Sequence, residues 1–204
     1  MTAEEKIIKA ATEAFLLKGI KSVTMDSIAQ AAGVSKRTVY ELFKDKDTLV
    51  IQTLGEMIIS QNKSIIEIIG NTENVIEALF VVMEREAVRR REMSQILIQD
   101  IEKYFPLVNA AFFSNPDKIC DYSPTYTFLV KGTEQGIIRK DLRIEFVDNF
   151  IHELIGLAHT SERLKQLMPD KADFMTNIFM PYFRGICTKK GLSLMEKYFE
   201  NLQE

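Results

Sequence analysis

Cysteine, glycine and proline are scarce in this sequence, and long apolar runs are absent. Two Cys, nine Gly and five Pro in 204 residues exclude a disulfide scaffold, a collagen-like repeat and a low-complexity chain. The longest apolar run, Ala78–Met83, is far shorter than the roughly 20 residues that cross a bilayer. Glu4, Glu5 and Lys6 stand where a secretory signal would need a basic and then an apolar stretch. We therefore expect a cytoplasmic protein with no membrane partner.

Residues in catalytic or metal-binding patterns are also missing. Cys120 and Cys187 have no metal-ligand spacing, and His152 and His159 belong to no zinc or di-iron motif. The glycines are scattered, so the sequence has no phosphate-binding loop and no nucleophile elbow. We expect no catalytic residue, no metal and no cofactor, and hence a protein that is not an enzyme.

The composition that is present is that of a globular protein, with 46% apolar and 27% charged residues. The length fits one small domain fused to a larger one. The net charge of −3 is unevenly distributed, because residues 1–50 hold eight basic and seven acidic residues and the acidic excess follows them. Since phosphate binding depends on where the cations lie, the N-terminal segment can still contact a nucleic acid.

Apolar residues recur at spacings of three and four along the chain, which predicts an all-α protein of nine or ten helices. A capping box at Thr2 and a stop at Gly19 predict a first helix that ends near Lys18. Pro106 should end a later helix, and Pro181 should kink or interrupt another. The longer helices are expected over Lys46–Ile69, Glu73–Met93, Gln95–Phe105, Asp117–Gln135, Glu145–Leu167 and Lys171–Thr188, before a terminal helix over Leu192–Leu202.

Residues 24–43 have the pattern of two short helices joined by a tight turn. Thr24 can cap the first helix, Gly33 permits a left-handed turn, and Ser35 can cap the second helix, Lys36–Phe43. Val39, four residues before Phe43, should face inward with it. After a supporting first helix, this is a helix-turn-helix layout.

The same stretch resembles the DNA-binding signature of the TetR family of transcriptional regulators. The matching elements are Thr24, Asp26-Ser27-Ile28-Ala29, Ala32-Gly33-Val34-Ser35, Thr38-Val39-Tyr40, Phe43 and Lys46-Asp47-x-Leu49. Two later segments resemble turns of that family more weakly: Gly136-Ile137-Ile138-Arg139-x-Asp141-Leu142 and Phe183-Arg184-Gly185-Ile186-x-Thr188. The resemblance implies an N-terminal three-helix helix-turn-helix DNA-binding domain, residues 1–47, and a C-terminal helical effector-binding and dimerisation domain, residues 48–204.

In such a unit, side chains near the start of the second helix reach base edges in the major groove of double-stranded DNA. Arg37 can contact guanine in a bidentate manner, which is worth about 1–3 kcal/mol of discrimination. Tyr40 and Lys44 are better placed for the DNA backbone, and Thr24 and Lys46 stand at helix starts, which favour phosphate. The predicted DNA-binding residues are Thr24, Ser35, Lys36, Arg37, Thr38, Tyr40, Lys44 and Lys46.

Two positions depart from the family pattern. Position 37 is often Gly in the family, so Arg37 either adds a base contact or lies along the DNA backbone. The position of Leu42 is often Tyr or His with a phosphate role. Leucine cannot fill that role, so Leu42 either weakens the phosphate contact or belongs to the core.

One helix-turn-helix unit reads few base pairs, so a homodimer on a near-palindromic operator is expected, with reading helices about 34–36 Å apart. The predicted dimer interface comprises Phe150, Ile151, Leu154, Ile178, Phe179, Tyr182, Phe183 and Ile186; alternatively, both helices only cover the monomer core. The resemblance also implies a pocket for a small apolar or amphipathic effector. Its candidate lining, for which core packing is the alternative, is Met83, Met93, Gln99, Tyr104, Phe112, Tyr122, Tyr126 and His152.

Together these predictions describe a ligand-responsive repressor that an effector releases from DNA through the helix Lys46–Ile69. Two alternatives remain open at this point. The first is a helical small-molecule-binding or enzymatic protein whose head no longer binds DNA. The second is a structural adaptor that uses its helical body for protein contacts.

Overall fold

The structure is a computed structural model of the chain, and it describes residues 1–93, 95–112, 123–167 and 171–201. All regular structure within these ranges is helical, apart from one isolated antiparallel bridge between Ile138 and Cys187. The predicted all-α fold is therefore confirmed. Of the helices described, none is long and apolar enough to cross a membrane.

In the described ranges the α-helices are α1 (Ala3–Lys18), α2 (Met25–Ala32), α3 (Lys36–Leu42), α4 (Lys46–Asn71), α5 (Val75–Glu92), α6 (Gln95–Phe112), α7 (Pro124–Glu134), α8 (Ile144–Thr160), α9 (Glu162–Leu167), α10 (Lys171–Phe174), α11 (Met180–Ile186) and α12 (Lys189–Asn201). The predicted helix Glu145–Leu167 is two helices, because the chain leaves the helical conformation at Ser161. A π-helical turn, Met175–Phe179, joins α10 to α11. It ends two residues before Pro181, whose ring crowds the carbonyl four residues back and whose missing N–H removes one helical hydrogen bond.

The predicted helix end at Phe105 is wrong. The helix expected to stop at Phe105 continues through Pro106 to Phe112 as α6. Tyr104 and Val108, on either side of the proline, are both buried. Their burial on one continuous face offsets the hydrogen bond that the proline removes. Of the predicted helix Asp117–Gln135, residues 117–122 lie outside the described part, and α7 begins after its cap at Ser123.

The described residues form two compact units. The head unit holds residues 1–61 and 87–112, and its core joins α1, α2 and α3 to the start of α4 and to α6. From α6 this core takes Leu97, Tyr104 and Val108. The compact head thus includes a later helix than the three expected, and the functional boundary between residues 47 and 48 stays a prediction.

The body unit holds residues 62–86 and 123–201, and its core lies around two turns that pair with each other. The amide of Thr188 donates to the carbonyl oxygen of Ile137 at 2.8 Å, and that of Arg139 donates to Ile186 at 3.0 Å. Gly132 admits the side chain of Ile138, since a Cβ there would stand 2.6 Å from Ile138 Cγ1. The two later segments that resemble family turns are therefore in contact in this fold.

Candidate nucleic-acid interface

Two hydrogen-bonded caps and one left-handed turn set the geometry of α2 and α3. Thr24 Oγ1 accepts from the amide of Ser27, and Ser27 Oγ accepts from the amide of Thr24, both at 3.1 Å. Gly33 ends α2 at φ +65°, a conformation that glycine adopts without strain. Ser35 Oγ then accepts from the amide of Thr38 at 3.0 Å and starts α3. These short-range bonds form the helix-turn-helix where the sequence predicts it.

The inner faces of the two helices are apolar. Ile28, Val39 and Phe43 are buried in the head core. Leu42, by contrast, is 45% exposed, so the interpretation of this residue as core is wrong. Apart from Leu42, the exposed side chains of α3 are polar or charged, namely Lys36, Arg37, Tyr40 and Glu41.

The two cations at the start of α3 each have a carboxylate partner. Lys36 Nζ lies 2.8 Å from Asp26 Oδ1 and 5.9 Å from the centre of the Tyr40 ring. Asp26 raises the pKa of Lys36, because its hydrogen bond favours the ammonium form. Arg37 Nε lies 2.7 Å from Glu41 Oε1, one turn further along the helix. Both pairs are on the surface, where such a pair is worth about 0–1 kcal/mol.

The other predicted DNA-binding residues differ in exposure and in the hydrogen bonds that they already make. Tyr40 and Lys44 are exposed, whereas Thr38 is half-buried, with its Oγ1 2.8 Å from Ser35 Oγ. Lys46 Nζ donates to the carbonyl oxygen of Lys21 at 3.3 Å, and partial burial lowers the pKa of Lys46. Thr24 and Ser35 are occupied as caps. The structure thus places all eight residues on or beside the helix-turn-helix, and their contact with DNA stays a prediction.

Sequence reasoning did not identify the structural role of two side chains of α6, which bond to other elements of the head. Asp100 Oδ2 accepts from the amides of Ile20 at 2.8 Å and Lys21 at 3.2 Å, in the loop before α2. Tyr104 donates its hydroxyl to Asp47 Oδ1 at 2.6 Å, in the first turn of α4. The partners are far apart in sequence, so no local pattern could have identified them. Glu41, by contrast, could have been found from its spacing of four from Arg37.

The predicted pocket residues do not all belong to one compact unit. Met93, Gln99, Tyr104 and Phe112 are in the head unit; Met83, Tyr126 and His152 are in the body unit; Tyr122 lies outside the described residues. In the head, Met93 and Phe112 pack against the apolar core, and Tyr104 is 8% exposed. Gln99 is exposed. These positions match core packing for several residues, and the pocket stays a prediction.

His152 belongs to a buried polar cluster in the body unit. Its Nδ1 lies 2.9 Å from the carbonyl oxygen and 3.4 Å from Oδ1 of Asp148. Asp148 is 1% exposed, and it also accepts from Ser123 Oγ at 2.9 Å. Burial raises the pKa of Asp148, although the nearby imidazole and the Ser123 hydrogen bond oppose the shift. The Asp148 oxygens thus hold His152 in place.

The predicted interface residues divide into two groups. Ile151, Phe183 and Ile186 are buried in the body core, as the core-covering alternative expects. Phe150 is 50% exposed, with its ring 5.1 Å from that of Tyr182. The half-buried remainder comprises Leu154, Ile178, Phe179 and Tyr182. Further large apolar side chains of α8 are exposed, namely Phe146, Ile155 and Leu157.

Comparison with known proteins adds a family match in the head. Residues 7–53 match the family described as bacterial regulatory proteins, tetR family. Over 82 residues the chain is 37% identical to the uncharacterized HTH-type transcriptional regulator YhgD of Bacillus subtilis (strain 168). That alignment spans 38% of this chain and 43% of the relative, so less than half of the Bacillus protein is matched.

Two longer matches cover more of the chain. It is 22% identical over 152 residues to the HTH-type transcriptional repressor KstR2 of Mycolicibacterium smegmatis, over 73% of this chain and 74% of that protein. The crystal structure of Thermus thermophilus FadR, a TetR-family transcriptional repressor in complex with lauroyl-CoA, superposes with a TM-score of 0.53. At 21% identity it covers 79% of this chain and 81% of that structure. This likeness supports the fold.

Proposed function

We propose that the chain is a ligand-responsive transcriptional repressor of the tetR family of bacterial regulatory proteins, whose family model matches residues 7–53, and that it is not an enzyme. It binds a near-palindromic operator as a homodimer. A small apolar or amphipathic effector releases it.

The observation that carries DNA binding is the charge arrangement of α3. Lys36 and Arg37 occupy its first turn and Glu41 its last, with no acidic residue in the first turn and no basic residue in the last. A helix dipole favours the opposite order, so the stability of α3 does not account for these cations. A helix that enters the major groove needs donors at that end, because its first residues meet the base edges.

Dimer formation is supported by exposed apolar side chains on α8. Phe146, Phe150 and Leu157 recur at spacings that place them on one side of the helix, and each is at least half exposed. Because each is already about half covered, burying the rest of one such side chain against a partner is worth about 1 kcal/mol. In a twofold dimer the same surface of each copy covers that of the other, so these side chains would be buried on both copies.

Repression and ligand response rest on the relatives. The Mycolicibacterium relative is named a repressor, and the Thermus structure holds lauroyl-CoA. An acyl chain with a polar head is an amphipathic molecule of the class expected from the sequence. Any such effector must bind the DNA-competent and DNA-free conformations with different affinity, since otherwise it shifts nothing.

The first experiment selects bound sequences from a random DNA pool with the full chain. We expect one enriched near-palindrome, whose affinity falls linearly on a double logarithmic plot against salt. Arg37→Ala should lose selectivity for guanine at one position of each half-site, whereas Lys140→Ala, an exposed cation of the body unit, should match the wild type. Failure to enrich any sequence would contradict the proposal.

The dimer and the effector are tested on that operator. By sedimentation, Phe150→Lys should be monomeric and bind the operator weakly, while Leu17→Lys, which changes an 80% exposed apolar residue of the head, should leave the oligomeric state unchanged.

Lauroyl-CoA is the first effector probe and should lower operator affinity. If an acyl-CoA binds the chain without changing its affinity for the operator, release by this class of ligand is contradicted.

A further inference from the structure

We propose that Glu41 is a positioning residue that orients Arg37 for guanine, and so sets how sharply the head discriminates between bases. The inference rests on the proposed DNA-binding function. It goes beyond that function because it assigns specificity to a carboxylate, a group that repels DNA phosphates.

The geometry of the pair carries the inference. Glu41 Oε1 accepts from Nε of Arg37 at 2.7 Å, with the two residues one turn apart on α3. A guanidinium held at Nε retains its two terminal nitrogens as a planar pair of donors. That pair matches the O6 and N7 acceptors of guanine. Glu41 thus favours one plane in which Arg37 presents its donors.

The neighbouring cation is held differently, which leaves this role to Arg37. Lys36 Nζ is 2.8 Å from Asp26 of α2, and the side chains are 60% and 61% exposed. Its ammonium group is therefore held toward α2. The Arg37 side chain is 87% exposed, so the guanidinium can meet a ligand without leaving Glu41. Arg37 is therefore the cation of this turn whose guanidinium is bonded at Nε to Glu41 while its two terminal nitrogens can still meet a base.

The stability of α3 gives no separate reason for the pair. An arginine four residues before a glutamate is the less favourable order for a helix pair, and a glutamate in the last turn opposes the helix dipole. Without Glu41, the long arginine side chain could turn to the nearest phosphate. Phosphate contacts raise affinity for every sequence equally. Glu41 should therefore lower non-specific affinity and raise discrimination at the same time.

The test compares Glu41→Ala and Glu41→Gln with the wild-type chain. Affinity is measured by fluorescence anisotropy at several salt concentrations, on the selected operator, on the operator with its guanine replaced, and on a random duplex. Glu13→Ala is the matched control, because it removes an exposed carboxylate from α1 of the same unit. Circular dichroism checks that each variant keeps its helical content.

The wild type should prefer the guanine operator by roughly 5- to 150-fold per contact. Glu41→Ala should reduce this preference to about threefold or less, bind the random duplex more tightly, and steepen the salt slope by about one phosphate contact. Glu41→Gln should restore part of the preference, since its amide oxygen can still accept from Nε. In an Arg37→Ala background, Glu41→Ala should leave the base preference unchanged.

The outcomes separate this inference from the proposed function. If the wild type selects an operator and Glu41→Ala keeps both its base preference and its salt slope, the positioning role is wrong. The same conclusion follows if Glu13→Ala loses preference to the same extent, because net charge alone would then be responsible. If the wild type selects no duplex, the DNA-binding function itself is overturned, and the role of Glu41 with it.

Discussion

Removing the Tyr104 hydroxyl should weaken the head by a defined amount that depends on pH. Tyr104 of α6 donates to Asp47 Oδ1 of α4 at 2.6 Å and is 8% exposed. A hydrogen bond to a charged acceptor contributes about 1.5–3 kcal/mol. Asp47 is exposed and regains water when the hydroxyl is lost, so Tyr104→Phe should lower the free energy of unfolding at pH 7 by about 1–2 kcal/mol.

The pH dependence follows from the ionisation of the same hydroxyl. The hydrogen bond to Asp47, burial and the nearby negative charge together raise the pKa of Tyr104 to about 12. An unfolded tyrosine titrates near 10, so between these values the native state holds a proton that the unfolded state has lost. The stabilisation is therefore complete below pH 10 and declines above it. By pH 11 the wild type should have lost about 1.4 kcal/mol that Tyr104→Phe does not lose.

The assay is urea unfolding of both proteins at pH 7, 9, 10 and 11, followed by circular dichroism. A spectrophotometric titration provides an independent check, because the difference between the wild type and Tyr104→Phe isolates one tyrosine. Burial also raises the pKa of Tyr182 and contributes to that of Tyr198, but these residues cancel in the difference. If the free energies of unfolding of the two proteins keep a constant difference from pH 9 to 11, the reasoning is refuted. A difference spectrum that titrates near 10 would refute it as well.

Two further predictions concern the acceptor carboxylates Asp100 and Asp148. Asp100→Ala should lower the free energy of unfolding of the head by about 1.5–3 kcal/mol and speed amide exchange at Ile20, which loses its acceptor; unchanged exchange there would contradict it. Asp148→Asn should gain stability relative to the wild type as pH rises from 4 to 7, because the raised pKa of Asp148 makes its ionised form costly in the fold. Urea unfolding measures the stability of the variant minus that of the wild type. If this difference falls as pH rises from 4 to 7, the prediction is wrong.

The helix-turn-helix could be predicted because its determinants are local. The caps at Thr24 and Ser35 act over three residues, and Gly33 meets nothing within 4 Å of a Cβ, so its role is conformational alone. The start of α4 is equally local, since Asp45 Oδ1 accepts from the amide of Thr48 at 2.8 Å. Short-range hydrogen bonds of this kind leave a readable pattern in sequence.

The rest of the fold depends on contacts that sequence spacing does not record. Pro106 is a helix breaker by local rules, yet burial of Tyr104 and Val108 carries α6 past it. Aromatic composition suggested Tyr104 as a pocket residue, but the same residue type also serves in cores. Only the position of Asp47, 57 residues away, distinguishes the two roles. The candidate DNA-reading face was accessible from sequence, whereas its attachment to α6 was not.

The place of α6 in the head core has a consequence for the order of folding. Ile7 and Val108 belong to the same core, although about half of the chain separates them. The helix-turn-helix can form its caps early during synthesis, but it cannot close its apolar interior until α6 has been made. Until then the core that includes Leu49 and Val50 lacks Leu97, Tyr104 and Val108, so the nascent head should be a binding site for chaperones.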